Sequence, residues 1–178
     1  MLRIILTMAF ALITTVASAG TIGEDGLHKQ DWFALTFRDI AEDIETAAAD
    51  GKRLALVFEQ RGCIYCAKMH EELLSDPEVA DFLKEHFMIV QYNMFGDEEV
   101  TDLDGDVLTE KTAARKWGYV FTPTIVFLPA EVPADSISVS KAAVATMPGA
   151  FGKWTFLNMF KWVYDRGYEG DEHFQKYH

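Results

Sequence analysis

A cysteine pair at the start of a helical segment, directly behind a short apolar run, constrains this sequence more than any other feature. The run is Leu54-Ala55-Leu56-Val57-Phe58, and the pair is Cys63 and Cys66. An unbroken apolar run of this length is typical of a strand that is buried on both faces. A strand that leads into a Cys-x-x-Cys helix is typical of thiol–disulfide redox sites. The spacing therefore predicts a fold built around a redox-active pair.

The two cysteines are the only ones in the sequence. A disulfide between residues three apart closes almost no loop, so it constrains the unfolded chain little and adds little stability. Small exported domains that depend on disulfides for stability usually contain several of them. We therefore expect Cys63 and Cys66 to carry chemistry rather than to stabilise the fold.

Residues 1–19 have the composition of a secretory signal peptide. Arg3 precedes an apolar run over residues 4–16, and Ala17-Ser18-Ala19 has the small residues of a cleavage site. The alternative is a membrane anchor, but the run is shorter than the roughly 20 apolar residues that a spanning helix needs. We predict export, cleavage after Ala19, and a single domain over residues 20–178.

The composition is acidic, with 28 acidic side chains against 16 basic ones and a formal net charge of −12. Cleavage after residue 19 would make the charge −13, because Arg3 is the only charged side chain removed. Nucleic acids and anionic lipid surfaces favour proteins with clustered lysine and arginine. We therefore expect neither as a partner. The remaining length suits one domain with a substantial core.

The spacing of apolar residues predicts alternating helices and strands in the first half of the chain. An amphipathic helix over residues 31–50 precedes the strand 54–58, and the cysteine helix extends to about Leu74. A helix over residues 77–85 then precedes a strand over residues 87–92. This alternation favours parallel strands joined by crossover helices.

The acidic segment that follows admits two interpretations. Asp102, Asp104 and Asp106 alternate as calcium ligands do, but Gly105 is fourth from Asp102. An EF-hand loop instead has glycine at its sixth position and glutamate at its twelfth. An Asp-Gly pair between apolar residues is typical of a tight hairpin turn. We therefore expect a small hairpin with solvated acids.

A helix and a strand follow the acidic segment. Thr109 is a suitable cap for a helix that ends at Gly118. A strand over residues 121–128 has Pro123 at its head, where proline removes no hydrogen bond from the middle of a sheet.

The remaining residues give weaker patterns. Residues 142–146 predict a strand antiparallel to the previous one, and residues 152–166 predict a helix whose buried face includes Trp154. Residues 20–30 and the tail over residues 168–178 have no clear period, and we expect loose segments there.

Three segments carry a resemblance to a known family. They are Phe58-Glu59-Gln60-x-Gly62-Cys63-x-Tyr65-Cys66, Gly96-Asp97-x-Glu99-Val100-Thr101-Asp102-x-Asp104-Gly105, and Thr109-Glu110-Lys111 through Phe121-Thr122-Pro123-Thr124. They resemble the SoxW branch of the periplasmic thioredoxins, over most of residues 31–178. The resemblance implies a thioredoxin-like three-layer α/β fold, in which a central mixed sheet has helices on both faces. An N-terminal helix, an acidic hairpin insertion and a C-terminal tail would be additions to it. It also implies a periplasmic location.

The resemblance further implies a substrate-binding surface. Thr122-Pro123 would form a cis peptide bond that faces the cysteines, and proline makes that isomer accessible. Ile64 and Tyr65 flank the thiols, and we expect them to bind an extended client segment together with Thr122 and Pro123. The run from Cys63 to Glu71 also resembles the active helix of periplasmic disulfide isomerases. Those proteins have a separate dimerisation domain for which this chain has no room, so we expect a monomer.

Two positions depart from the thioredoxin pattern. Gly62 stands where many thioredoxins have tryptophan, and Val57 stands where many have a buried aspartate that accepts the proton of the second cysteine. We expect Cys63, at the helix start, to have a lowered thiol pKa and to attack client disulfides. Cys66 would then resolve the mixed disulfide. Our hypothesis is that Glu59 replaces the missing aspartate, and the alternative is a solvated acid at the strand end.

His70 lies on the same helical face as both cysteines. One interpretation is a zinc or copper site formed by Cys63, Cys66 and His70. No fourth ligand is evident, and a histidine beside a core is usually structural. We therefore predict no metal and no cofactor other than the redox-active disulfide itself.

Together these observations predict an exported thiol–disulfide oxidoreductase that reduces disulfide-bearing client proteins. In an oxidising compartment a reductase must be recharged, so a membrane thiol–disulfide electron carrier is implied as a partner. The SoxW resemblance suggests a link to sulfur oxidation. The alternatives are a disulfide oxidase or isomerase, and a non-catalytic metal-binding module of the same fold.

Overall fold

The computed structural model describes residues 21–171 and 173–177, so the predicted signal peptide and its cleavage site lie outside the described residues. The strands are β1 (Thr21–Ile22), β2 (His28–Lys29), β3 (Arg53–Glu59), β4 (Phe87–Asn93), β5 (Glu99–Thr101), β6 (Val107–Thr109), β7 (Thr124–Phe127) and β8 (Ala145–Pro148). The helices are α1 (Ile40–Ala49), α2 (Ile64–Lys68), α3 (Pro77–His86), α4 (Glu110–Trp117), α5 (Val139–Ala142), α6 (Lys153–Tyr164) and α7 (Phe174–Tyr177). A π-helical turn, Met69–Leu73, continues α2, and a 3₁₀ turn, Gly167–Glu169, follows α6.

Four strands form the central sheet in the order β4-β3-β7-β8. Strands β3 and β4 are parallel, with Leu54 opposite Met88. Strand β7 runs antiparallel to β3, with Phe58 opposite Thr124, and β8 runs antiparallel to β7. The sheet is therefore mixed, and the predicted thioredoxin-like α/β fold is confirmed.

Alternate residues of β3 contribute to two separate cores. Leu54, Leu56 and Phe58 pack with apolar residues of α1 and α4. Ala55 and Val57 pack with residues of the cysteine helix, α3 and α6 on the other face. This alternation is the period of a strand. It places helices on both faces of the sheet, as predicted.

The first helix is shorter than predicted. It begins at Ile40, because the side chain of Asp39 accepts the N–H groups of Ala41 and Glu42 and caps the helix there. Upstream, the N–H of Ala34 donates to the carbonyl of Ile89, so the chain pairs with the edge of β4 instead of closing helical turns. The helix prediction over residues 31–39 is therefore wrong.

The acidic hairpin is confirmed. Strands β5 and β6 pair antiparallel, and Gly105 takes a φ of 87° in the turn between them. The Nζ atom of Lys116 lies 2.8 Å from Asp102, 2.7 Å from Asp104 and 2.8 Å from Asp106. The cation that these alternating carboxylates contact is thus an ammonium group of α4. The expectation that all three acids are solvated is wrong for Asp102, which is buried.

Later elements also differ from the predictions. The strand expected over residues 142–146 is displaced to β8, because residues 139–142 form the short helix α5. Trp154 is 62% exposed rather than part of the core. It lies in the first turn of α6 and stacks beneath the Nζ atom of Lys153, 5.4 Å from the ring centre. Residues 20–30, expected to be loose, include the β1–β2 hairpin and the buried Leu27.

Within the described part of the chain, no helix combines the length and the apolar character needed to cross a membrane.

Candidate active site

The redox pair occupies the start of the helix that follows β3. Gly62 has a φ of 74°, which turns the chain between the strand and the helix. Cys63 precedes the first helical residue, and its Sγ accepts the N–H of Cys66 at 3.0 Å. Cys63 and Cys66 are joined in a disulfide, as a Cys-x-x-Cys redox site requires.

The two sulfurs differ in accessibility. Cys63 is 8% exposed and Cys66 is fully buried. The hydroxyl of Thr122 donates to Cys63 Sγ at 3.4 Å, and the Thr122-Pro123 bond is cis, as predicted. An external thiol or disulfide can therefore reach Cys63, whereas Cys66 is reached only from inside the site.

The surface around Cys63 is apolar. Ile64 is 73% exposed and Tyr65 is 55% exposed, while Pro123 is buried behind them. Sequence reasoning did not assign Phe121 and Phe151, which are also exposed. Phe121 directly precedes Thr122-Pro123, so its place in the sequence could have been used to assign it to the site. Phe151 lies in the loop before α6, and no sequence pattern assigns it to the site.

A groove of about 460 Å³ runs beside the cysteine helix. Tyr65 and Pro123 line it close to the disulfide, and Met69, Phe151 and Phe156 extend it. The structure thus brings Tyr65 and Pro123 of the predicted client-binding surface into one concave site.

Glu59 is fully buried at the end of β3. Its Oε1 accepts from Nε2 of His70 at 2.9 Å and from Nε2 of Gln91 at 3.0 Å. Among the described residues, no donor lies within hydrogen-bond distance of its Oε2. The alternative of a solvated strand-end acid is therefore wrong. A role as proton acceptor stays a prediction.

His70 joins the site to the N-terminal segment. It is 1% exposed, and its Nδ1 lies 3.2 Å from the amide nitrogen of Gln30. Gln91 is a polar residue in the otherwise largely apolar strand β4, and that irregularity was a signal that sequence reasoning did not use. No local pattern distinguishes Gln30.

The proposed metal ligands are otherwise engaged. Cys63 and Cys66 share a disulfide, and both ring nitrogens of His70 have hydrogen-bond partners. Over residues 21–171 and 173–177, no group of three or more histidine, cysteine, aspartate or glutamate side chains is arranged to hold a metal ion.

Comparisons with known proteins agree with the geometry. A family model for a thioredoxin-like domain matches residues 40–132. A thioredoxin from Thermus thermophilus is 25% identical and aligns over 72% of this chain and 86% of its own, with a TM-score of 0.55. A thioredoxin-fold protein from Helicobacter pylori is 22% identical over 72% of this chain and 83% of its own, with a TM-score of 0.54. A DsbH oxidoreductase is 18% identical and aligns over 89% of this chain and 95% of its own, with a TM-score of 0.48. No curated protein matches the sequence.

The matched region includes the strand before the cysteines, both cysteines, and Thr122-Pro123. It spans just over half of the sequence. The fold and the Cys63–Cys66 disulfide make the protein a thiol–disulfide oxidoreductase, as predicted. The chain belongs to the thioredoxin-like domain family.

Proposed function

We propose that this oxidoreductase is exported to the periplasm and reduces disulfide bonds of client proteins there. The observation that carries the proposal is the asymmetry of the disulfide. Cys63 is reachable at the start of a helix, whereas Cys66 is buried one turn deeper. A nucleophile at the surface and a resolving thiol beneath it are the two parts that a disulfide reductase needs.

The reaction follows from that arrangement. The Cys63 thiolate attacks one sulfur of a client disulfide, a Cys63–client bond forms, and the other client sulfur leaves as a thiolate. Cys66 then loses its proton and attacks Cys63, which forms the Cys63–Cys66 disulfide and releases the second client sulfur. The two client thiolates take up the two protons that the dithiol gave up. A dithiol carrier in the membrane would return the pair to its reduced form.

Three features support the Cys63 thiolate as the attacking group. The N–H of Cys66 and the hydroxyl of Thr122 both point to its Sγ. Hydrogen bonds to a charged acceptor are stronger than those to a neutral one, so both favour the thiolate over the thiol. The remaining N–H groups of the helix start add a favourable field.

The surroundings of Cys66 bear on the choice between a reductase and an isomerase. A buried carboxylate lies on the same face of β3 as Val57, the position where many thioredoxins have their aspartate. A proton acceptor there would hasten attack by Cys66 and shorten the life of the mixed disulfide. This suits a reductase better than an isomerase, in which the first cysteine must hold its client for longer. The resemblance to SoxW-type thioredoxins supports periplasmic reduction, a membrane electron carrier and a link to sulfur oxidation.

The redox state of the pair in cells tests the direction. Rapid alkylation of thiols in growing cells should find Cys63 and Cys66 predominantly reduced. A Cys66→Ser variant should accumulate mixed disulfides with clients, because the resolving thiol is gone, and a Cys63→Ser variant should trap none. A stable disulfide in cells would instead favour an oxidase. Cellular function that persists in Cys63→Ser would remove the catalytic role altogether.

A further inference from the structure

A buried hydrogen-bonded chain links the N-terminal segment, the cysteine helix and the end of β3. It runs from Gln30 to His70 at 3.2 Å and from His70 to Glu59 at 2.9 Å. Gln91 joins it at Glu59 Oε1, and its own side-chain oxygen accepts from Nζ of Lys29 at 2.7 Å. Gln30, Glu59, His70 and Gln91 are all at most 9% exposed. Buried polar groups are costly unless they are paired, so a connected set of this size calls for an explanation.

The hydrogen-bond partners of His70 determine the tautomer of its neutral ring. The amide nitrogen of Gln30 can only donate, so Nδ1 of His70 is the acceptor in that bond. A neutral ring then carries its hydrogen on Nε2, which donates to Oε1 of Glu59. Gln30 therefore selects the tautomer that holds the carboxylate.

One carboxylate oxygen is left over. Oε1 of Glu59 accepts two hydrogen bonds, while Oε2 has no donor within reach among the described residues and is fully buried. A buried oxygen without a donor is costly to the folded state, and a proton on it would lower that cost.

The fold places that carboxylate on the side of β3 that carries the cysteine helix. Glu59 continues the alternation of Ala55 and Val57, which face the cysteine helix. Cys66 and His70 are one helical turn apart, so they lie on the same face of that helix. Because His70 contacts Glu59, this face is turned toward the end of β3.

We propose that His70 and Gln30 are positioning residues of the redox centre. His70 holds Oε1 of Glu59 so that Oε2 takes the proton of Cys66, and Gln30 keeps the His70 ring in the tautomer that can do so. The inference rests on the proposed function and deepens it. Through Gln30, the N-terminal segment before α1 would then contribute to the redox centre.

The step balances as follows. In the mixed disulfide, the S–H bond of Cys66 breaks and its proton moves to Oε2 of Glu59. The Cys66 sulfur forms a bond with Cys63 Sγ, and the Cys63–client bond breaks. The client sulfur leaves with the electron pair and is protonated by the proton that Glu59 accepted. Both His70 hydrogen bonds persist throughout.

Single-turnover kinetics test the assignment. The reduced protein is mixed with a synthetic peptide that contains one disulfide, and the reaction is quenched with acid at intervals. Mass spectrometry of the samples then gives separate rates for formation and for resolution of the mixed disulfide. Glu59→Gln should slow resolution by about 100-fold, the lower range for a lost general base. His70→Phe should slow it by about 10-fold and Gln30→Ala by about 3-fold, because misplaced groups lose part of their effect. Formation should stay within about 2-fold in all three variants, since the Cys63 surroundings are untouched.

Conservative and matched variants separate positioning from folding. His70→Gln should recover part of the resolution rate, because an amide can still donate to Glu59. His86→Phe removes a part-buried histidine of α3 and should leave both steps unchanged. Nitrogen-15 NMR spectra of the parent protein with labelled histidine should show that His70 is protonated at Nε2 and unprotonated at Nδ1. In Gln30→Ala that signature should be lost.

Two results would overturn the proposal. One is an unchanged resolution rate in both His70→Phe and Gln30→Ala. The other is that these variants slow the formation and the resolution of the mixed disulfide by the same factor. Failure of the proposed function is distinguishable, because a stable Cys63–Cys66 disulfide in cells would count against a reductase whatever the resolution rates of these variants. If His70→Phe does not fold, Gln30→Ala provides the same test from outside the central sheet.

Discussion

Gly62 is a position where a single backbone angle accounts for the residue type. Its φ of 74° lies in the left-handed region, and a Cβ atom there would meet nothing within 4 Å. Space is therefore available for a side chain, and the constraint is conformational. The tryptophan that many thioredoxins have at this position would have to adopt an unfavourable backbone conformation in this loop.

Gly62→Ala should lower the free energy of unfolding by about 1 kcal/mol, the cost of a left-handed conformation for a residue with a Cβ atom. Denaturant titration of the oxidised protein measures the change. The matched control is Gly170→Ala, because Gly170 has a φ of −93° and only an ordinary contact at 3.6 Å. Equal losses in the two variants would show that the φ of Gly62 is not the cause.

At the scale of elements, α1 contains an acid in an unusual setting. Asp43 is 4% exposed in the first turn, and its Oδ2 accepts from the hydroxyl of Thr36 at 3.0 Å. Burial raises the pKa of Asp43 to about 6, and the charges of Asp39 and Glu42 add to the shift while the Thr36 hydroxyl opposes it. The helix start favours a negative charge there, but desolvation outweighs that effect.

The raised pKa predicts a pH-dependent stability. Because the folded protein binds this proton more tightly than the unfolded chain, Asp43 favours the fold most below pH 4. That contribution is lost as the pH rises through about 6. Asp43→Asn should therefore gain stability relative to the parent between pH 4 and pH 7, on the order of 2 kcal/mol. Urea titrations at several pH values measure the difference, with Asp50→Asn, an exposed acid at the other end of α1, as the control. A constant difference across this range would contradict the assignment.

At the scale of the whole molecule, Asp102 joins elements that are distant in sequence. Its carboxylate accepts from Nε1 of Trp117 in α4 at 2.7 Å and from the N–H of Val139 in α5 at 2.8 Å. It also contacts Nζ of Lys116 at 2.8 Å. Desolvation opposes the charge of Lys116, but the three aspartates outweigh it and raise the pKa of that ammonium group. The hairpin insertion is thereby fastened to two helices on one face of the sheet.

Asp102→Ala should lower the free energy of unfolding by about 3–5 kcal/mol, because it leaves buried donors of Trp117 and Val139 unpaired. Asp104→Ala removes a partly exposed carboxylate that contacts the same lysine and should cost about 1 kcal/mol or less. Thermal and denaturant unfolding of the two variants measure the contrast. Losses of similar size would mean that contact with Lys116, rather than the bonds to α4 and α5, is what matters.

The local elements followed from the sequence where short-range chemistry is strong. Asp76 before Pro77, Thr109 and Gly118 set the ends of α3 and α4 as predicted, because caps and breakers act within one turn. The helix predicted over residues 31–50 failed in its first part, since pairing of Ala34 with β4 is a long-range contact that no local period contains. Trp154 has helical spacing with core residues, yet the first turn of α6 leaves it exposed.

For the site, the sequence by itself determined the reactive pair and its neighbours in the chain. Cys63, Cys66 and Tyr65 are recognisable because spacing places the thiols at a helix start, and the family resemblance adds Thr122-Pro123. Only the tertiary structure decided how the buried polar groups beside the pair are arranged. Glu59 could have been solvated, and His70 could have been a ligand. Parallel pairing of β3 with β4 and the path of the N-terminal segment instead bury both. Glu59 bonds to Gln91, 32 positions away, and His70 bonds to Gln30, 40 positions away. Hydrogen bonds between side chains so far apart in sequence depend on the folded path of the chain, which local patterns do not encode.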